Sequence, residues 1–290
     1  MNGIVLVDKK PGMTSHDVVN QARKILKTKR IGHTGTLDPF ASGLLILLVN
    51  DATKLAFLFN GLDKEYQGTI LFGKKSDTFD LTGNIEDALF FSSSEKDIDD
   101  KMSSFVGKYM QYPPIYSAKK IAGKKLYQYA RENKDIEIAP SEVTIKSFKR
   151  LSPIIDNKVD FMASVSSGTY IRSLAVDLAE KLGTSGLLQS LRRVKIGNYT
   201  LDKVVLLDEL NENSIIQDRD LFKEISESVV LDDYEVKLVL NGVKLDERQI
   251  KTDKPFLAYD KKGKLVGYFE VSESKEYKLK YLFKDNYENN

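Results

Sequence analysis

No cysteine and no tryptophan occur among the 290 residues, and there are only two histidines, His16 and His33. The missing thiols exclude disulfides, a thiolate nucleophile and a cysteine-based zinc site. Two histidines do not furnish a histidine-rich metal centre, and they leave a Ser-His-Asp triad poorly supported. Long apolar runs are missing as well. Residues 44–49, Leu-Leu-Ile-Leu-Leu-Val, fall far short of the roughly 20 residues that cross a bilayer. The opening Met-Asn-Gly-Ile-Val-Leu-Val-Asp enters strand-like sequence directly, without the zones of a signal peptide. The expectation is a cytoplasmic monomer that touches no membrane and uses no metal or other cofactor.

What is present is ordinary for a globular chain: 41% hydrophobic and 30% charged residues, enough for a large core and a second small domain. The net charge of +2 conceals an uneven spread. Residues 101–150 carry 11 Lys+Arg against 4 Asp+Glu, whereas 61–100 carry 4 against 10 and 201–290 carry 15 against 20. A basic block in a near-neutral chain suggests contact with a polyanion, although many such runs are solvated faces.

The stretch Ile31-Gly32-His33-Thr34-Gly35-Thr36-Leu37-Asp38-Pro39-Phe40-Ala41-Ser42-Gly43 is small, turn-rich and nearly uncharged, with one carboxylate, Asp38. Its glycines allow backbone conformations that other residues resist, and Pro39 biases Asp38 toward an extended backbone. The apolar run behind it suits a doubly buried strand. A lone acid is thus presented on a shaped loop anchored in the core. On these grounds alone Asp38 could equally be a turn initiator or a helix cap.

Along the chain, residues 3–7 form a short apolar strand. Thr14 or Ser15 caps a helix with Val18, Val19, Ala22, Ile25 and Leu26 on its apolar face and Arg23, Lys24, Lys27, Lys29 and Arg30 opposite. Asp51 caps a helix running to Phe59. Residues 64–73 alternate as a strand with Tyr66, Gly68, Ile70 and Phe72 on one face, and Asp77 and Asp80 fix the loop that follows. Ser94 caps a helix with Ile98, Met102, Phe105 and Val106 inward. Residues 112–131 interleave four lysines, an arginine and four tyrosines, the pairing that a looped or single-stranded RNA contact needs. Strands at 143–151 and 159–166 lead to a helix with Ile171, Leu174, Ala175 and Leu178 on one face. Arg172 falls in its first turn, where the helix dipole disfavours a cation, so an anionic partner is expected nearby. From about 229 short strands follow at 234–240, 256–259, 265–271 and 277–282, with a glycine-bearing hairpin turn at 260–264.

Gly-His-Thr-Gly-Thr-Leu-Asp-Pro-Phe-Ala-Ser-Gly-Leu-Leu resembles the signature of the TruB family, the tRNA pseudouridine synthases, whose aspartate in G-H-x-G-x-L-D is catalytic. Further stretches resemble the same family. Lys9-Lys10-Pro11-Gly12-Met13-Thr14-Ser15 is similar to its first motif, K-P-x-G-x-T-S, with Lys10 in the usual proline slot. Lys64-Glu65-Tyr66 with residues 76–80 is similar to the second motif. Residues 113–131 resemble its RNA-gripping insertion, Gly168-Thr169-Tyr170-Ile171-Arg172 its G-T-Y-I-R, and Leu191-Arg192-Arg193 its L-R-R. The resemblance covers about residues 1–200.

The resemblance implies an α+β fold: a mixed, largely antiparallel sheet flanked by helices over 1–228, with the insertion at about 109–133. Residues 229–290 would form a small β-rich PUA-like domain. It implies a cofactor-independent isomerase acting on the uridine numbered 55 in the T stem-loop of tRNA. The N1–C1′ bond breaks, the base turns, and C5 joins C1′. Asp38 would be the catalytic acid, Arg172 its partner and Tyr66 the active-site tyrosine. Lys9, His33, Tyr170 and Leu191 would bind substrate, His33 by filling the place of the flipped base. Lys119, Lys120, Lys124, Lys125, Arg131, Arg192 and Arg193 would face RNA phosphates. Two rivals remain. A non-catalytic tRNA-binding or folding protein would need the basic insertion but neither Asp38 nor Arg172. A glycoside hydrolase would need a second acid within about 5–10 Å of the first.

Overall fold

The computed structural model describes residues 2–132, 136–216, 222, 225–272 and 276–287, so the last residue of the 109–133 insertion lies outside the described residues. The chain opens with β1 (Gly3–Lys9), and Thr14 then starts α1 (Ser15–Ile25). The Thr14 hydroxyl accepts the Asp17 amide while the Asp17 carboxylate accepts the Thr14 amide, satisfying donors that a helix start leaves free. Val18, Val19, Ala22 and Leu26 are buried; Ile25, expected with them, lies exposed at the rim of the last turn. The short β2 (Ile31–His33) passes through the glycine-rich loop into β3 (Ser42–Val49), which is buried on both faces. Leu44, Ile46 and Leu48 enter one core and Leu45, Leu47 and Val49 another, the two-residue period of a strand.

Residues Asn50–Phe59 depart from expectation. They form a 3-10 helix capped at Val49, and the buried Asp51 pairs with Arg30 (3.1 Å) and Lys54 (3.0 Å) instead of capping. β4 (Lys64–Phe72) follows, then the hairpin of β5 (Lys74–Ser76) and β6 (Ile85–Asp87). Ser94 and Asp97 form a capping box on α2 (Glu95–Ser103), which buries Ile98 and Met102, with Phe105 buried just beyond. Val106, expected inward, is exposed because the helix has ended and the chain is turning into β7 (Gly107–Gln111). The insertion contains a minimal hairpin, β8 (Lys120–Ile121) and β9 (Lys124–Lys125), and α3 (Leu126–Arg131). Then come β10 (Ser141–Arg150), β11 (Lys158–Val165), α4 (Ile171–Lys181), the long β12 (Gly186–Ile196), β13 (Tyr199–Thr200) and β14 (Val205–Leu206).

Ten strands join in one sheet of order β14-β1-β3-β12-β4-β11-β10-β7, with β2 on β3 and β13 on β12. Among the described residues of this sheet, only the pairs β1–β14 and β3–β12 are parallel. The fold is therefore α+β, with a mixed and largely antiparallel sheet. Helices α2 and α4 cover the half built on β4, β10 and β11, and α1 covers β1 and β3. Because β12 lies between β3 and β4, it carries Leu191 and Arg193 alongside both the Asp38 loop and Tyr66.

A second sheet holds β15 (Glu227–Val230), β16 (Phe256–Tyr259), β17 (Leu265–Val271) and β18 (Tyr277–Leu282) in that order. Residues 234–240, expected as a strand, are helical: α5 (Asp233–Leu240) is capped by Asp232, which accepts the amides of Tyr234 and Glu235. The turn at 260–264 is as expected, with Gly263 at φ +81° and the Asp260 carboxylate accepting the amides of Lys262 and Lys264. Leu257, Tyr259, Tyr268 and Phe283 share a core with Ile4, Leu44, Leu55 and Phe59, which seats this small C-terminal β unit on the body.

Candidate active site

A cleft of about 360 Å³ opens where the Asp38 loop, the start of α4 and the first residues of the insertion converge over β4 and β12. That volume suits one small ring system and its sugar. Three side chains pin the Asp38 loop. Ser15 accepts the Leu37 amide (2.9 Å) and returns its hydroxyl to the Leu37 carbonyl (3.3 Å). Lys9 donates to the carbonyls of Lys10 (3.1 Å), Met13 (2.7 Å) and Pro39 (3.3 Å). Arg193 donates to the carbonyls of Leu44 (2.8 Å), Gly35 (3.1 Å) and Thr36 (3.5 Å). Gly43, at φ +102°, makes this possible: a Cβ there would stand 2.3 Å from the Arg193 carbonyl oxygen.

Two expectations change here. Lys9, expected to bind substrate, does not line the cleft. Arg193, expected to face phosphate, borders the cleft but is only 1% exposed, with its guanidinium turned to loop carbonyls. The physical reason is the same for both. Buried cations require acceptors, and loop carbonyls supply them. Burial also lowers the Lys9 ammonium to about 8, against the pull of Asp38.

Asp38 receives two parallel bonds from Arg172, Nε to Oδ2 at 2.9 Å and Nη2 to Oδ1 at 3.0 Å. Arg172 is buried in the first turn of α4 and also donates to the carbonyls of Thr78 (2.8 Å) and Tyr116 (3.0 Å), with Asp80 at 3.7 Å. The anion expected near this misplaced cation is thus Asp38 itself, with Asp80 behind. Burial pushes the Asp38 carboxyl above its usual range, Arg172 pulls it back, and Asp80 adds to the rise. Asp80 is fixed in turn by the hydroxyls of Thr78 and Thr82 and the Thr82 amide.

Tyr66 on β4, opposite Arg193, and Leu191 on β12, opposite Gly68, both line the cleft, as does Tyr170, the residue just before the first turn of α4. Gln111, at the end of β7, clamps Tyr170 at both backbone groups: its Oε1 accepts the amide (2.8 Å) and its Nε2 donates to the carbonyl (3.0 Å). His33 ends β2 one residue short of the cleft wall; its Nδ1 is buried with no partner among the described residues, and burial lowers its pKa. Sequence reasoning assigned no site role to Ser15 beyond a cap, nor to Gln111, Thr34, Lys64 and Ser117. All but Gln111 lie within the stretches that carry the resemblance, which is the signal they had.

In the insertion, Lys124 and Lys125 lie over the rings of Tyr129 (4.8 Å) and Tyr127 (5.5 Å), and Arg131 also meets Tyr127 (5.4 Å). Lys120 pairs with Lys125 in backbone register, and Lys119 donates to Ser141 (2.6 Å). Glu132, immediately past the basic stretch, takes Lys124 at 2.5 Å. Arg192 is held by Asp8 at 2.6 and 3.0 Å. Among the described residues no group of three or more His, Cys, Asp or Glu is placed to hold a metal, and no helix is long and apolar enough to cross a membrane.

Residues 23–171 match the TruB family pseudouridylate synthase (N terminal domain), and residues 172–234 match the tRNA pseudouridylate synthase B C-terminal domain. The chain is 47% identical over 284 residues to the tRNA pseudouridine synthase B of Onion yellows phytoplasma, covering 98% of this chain and 100% of that one. It is 46% identical over 283 residues to the protein of the same name from Acholeplasma laidlawii, with the same coverage. Its fold is shared with a chain in the crystal structure of a Cbf5-Nop10-Gar1 complex, at a TM-score of 0.71 and 23% identity over 97% of this chain and 84% of that one. Sheet, cleft and matched domains together define a pseudouridine synthase, an isomerase. Within that class the chain belongs to the TruB family.

Proposed function

We propose that this enzyme acts on the T stem-loop of tRNA, at the uridine numbered 55, with Asp38 as the catalytic carboxylate. The observation that carries the reading is the Asp38–Arg172 pair, an acid held bidentately at a cleft wall that also presents Tyr66, Tyr170, Leu191, Lys64 and small polar residues. Arg172 keeps Asp38 ionised and aimed against the effect of burial. The carboxylate can then add to C1′, add to C6 of the base, or remove a ribose proton; all three routes loosen the N1–C1′ bond and need the same ionised, oriented acid. Tyr66 stacks on the released uracil. Once C5 is bonded to C1′, the C5 proton leaves by way of the Tyr66 hydroxyl, which passes its own proton on to solvent as it accepts this one. N1 takes up a proton in place of its lost bond to C1′, so no atom is lost overall. His33 fills the stack vacated by the flipped nucleotide, offsetting an unstacking cost of about a few kcal/mol.

The rivals fit less well. Among the described residues lining the cleft, Asp38 is the one carboxylate, so the acid pair of a glycosidase is lacking. A purely RNA-binding protein has no need of the Asp38–Arg172 pair. The test is to incubate purified protein with a uridine-containing T stem-loop and map pseudouridine. Asp38→Asn should lower turnover by about four decades while stem-loop binding stays within about tenfold. Appreciable turnover by that variant would remove the catalytic assignment.

A further inference from the structure

Three polar groups in the cleft wall are short of partners among the described residues: the buried hydroxyl of Ser117 in the insertion, and Lys64 and Thr34, the two that lie near Arg193. Lys64, on β4, is 9% exposed, yet among the described residues its Nζ makes one hydrogen bond, to the Leu62 carbonyl (2.5 Å), although an ammonium carries three donors. Thr34, in the Asp38 loop, is 7% exposed, and its hydroxyl is buried with no partner among the described residues. Both line the cleft, together with Asn60. Both also stand near Arg193, which donates to Gly35, the residue after Thr34, and whose charge acts on Lys64. The one carboxylate among the described residues of the wall, Asp38, is already taken by Arg172. Asp63 also acts on Lys64 but pairs with Lys146. The cleft therefore contains donors in excess of acceptors, with a positive charge behind them.

We propose that Lys64 and Thr34 together hold a backbone phosphate of the RNA, next to the uridine that enters the cleft. A neutral base edge would leave the ammonium uncompensated, whereas a phosphate oxygen accepts from both groups, and phosphates necessarily accompany a flipped nucleotide. Burial, aided by Arg193, lowers Lys64 to about 8, and an arriving phosphate favours its charged form. Both are positioning residues: they seat the nucleotide that Asp38 then attacks. The inference rests on the uridine-isomerising reading above.

The test is a binding cycle in the Asp38→Asn background, using T stem-loops in which the phosphate 5′ or 3′ of the target uridine is replaced by a neutral methylphosphonate. With Lys64 in place, one of the two replacements should weaken binding about tenfold, the worth of a charge-assisted hydrogen bond. In Lys64→Gln the same replacement should cost less than about twofold, because the partner is already gone; Lys64→Arg should restore part of the difference. Thr34→Val should show the same coupling more weakly. Equal costs with and without the Lys64→Gln substitution would overturn the proposal. So would the absence of any cost at either phosphate while Lys64 is present, a result that needs no change at that position. A wild-type enzyme that isomerises the stem-loop but shows no coupling defeats this inference alone, whereas no isomerisation defeats the reading beneath it.

Discussion

Arg172 shows what one residue does in this fold. It closes a network joining the Asp38 loop, the loop after β5, the insertion and α4, using four oriented N–H bonds from one rigid plane. Lysine keeps the charge but cannot reproduce that fork. Arg172→Lys should therefore lower turnover by about two decades or more, with the folded state intact by circular dichroism; a near wild-type rate would show that the pair does not matter. The pH profile gives a second readout. Burial raises the Asp38 carboxyl and Arg172 opposes the rise, so a weaker partner moves the acidic limb of kcat to higher pH. Asp38, Tyr66 and Arg172 were legible because each sits in a local word of the sequence. Gln111 was not, since its partner Tyr170 is 59 residues away and a glutamine before Tyr-Pro-Pro carries no mark of its own. The inward turn of Arg193 was not legible, because an arginine beside a polyanion site suggests phosphate, and its carbonyl partners Gly35, Thr36 and Leu44 lie 149 to 158 residues away in the chain.

At the scale of elements, the long strands and helices were evident from period and caps, and the errors fall where two signals compete. Val236 and Val239 favour a strand, but they lie three apart on the buried side of a helix, and Asp232 with Glu235 forms the capping box that starts it. Asp51 offered a cap, but two flanking cations claim its carboxylate. The insertion is the element whose role is most open to test. Its lysines ride on tyrosine rings, which leaves basic and aromatic surfaces presented together. Lys124 is already paired with Glu132, and Lys119 is tied to Ser141. Neutralising Lys119, Lys120, Lys124 and Lys125 should accordingly remove about two phosphate contacts. The log–log salt dependence of stem-loop binding would then flatten by roughly 1.4, at about 0.7 per contact for single strands. An unchanged slope would make this an ordinary solvated face and return the role to Arg23 and Lys24 of α1 and to Lys27 just beyond it.

For the whole molecule, organising the site around buried cations has a consequence for stability. Lys9 and Lys64 are both lowered to about 8 from an ordinary 10.5. Below pH 8 both are charged in the folded and the unfolded chain, and the folded state bears the full cost of burying them. Between pH 8 and about 10.5 the unfolded chain still holds both protons while the folded one has released them. Stability therefore rises with pH across this window, by at most about 1.4 kcal/mol per pH unit for each group. Above about pH 10 the sign reverses. Tyr109, half-buried and bonded to Asp177, and Tyr287, half-buried beside Asp260, are both raised, so the unfolded tyrosines ionise first and draw the equilibrium toward unfolding. A maximum near pH 10 is expected, well above the range usual for proteins whose acids are paired and whose lysines are free. Urea denaturation from pH 7 to 11 measures it directly. In Lys9→Met, which keeps the length of the side chain but removes the proton, the rise between pH 8 and 10 should shrink by about half. That variant also releases the carbonyls of Lys10, Met13 and Pro39, so a lower stability at pH 7 alone decides nothing; the slope does. A wild-type curve that is flat or falling over pH 8–10 would mean that both ammonium groups stay charged in the folded protein, with solvent reaching the Asp38 loop far more freely than its packing indicates.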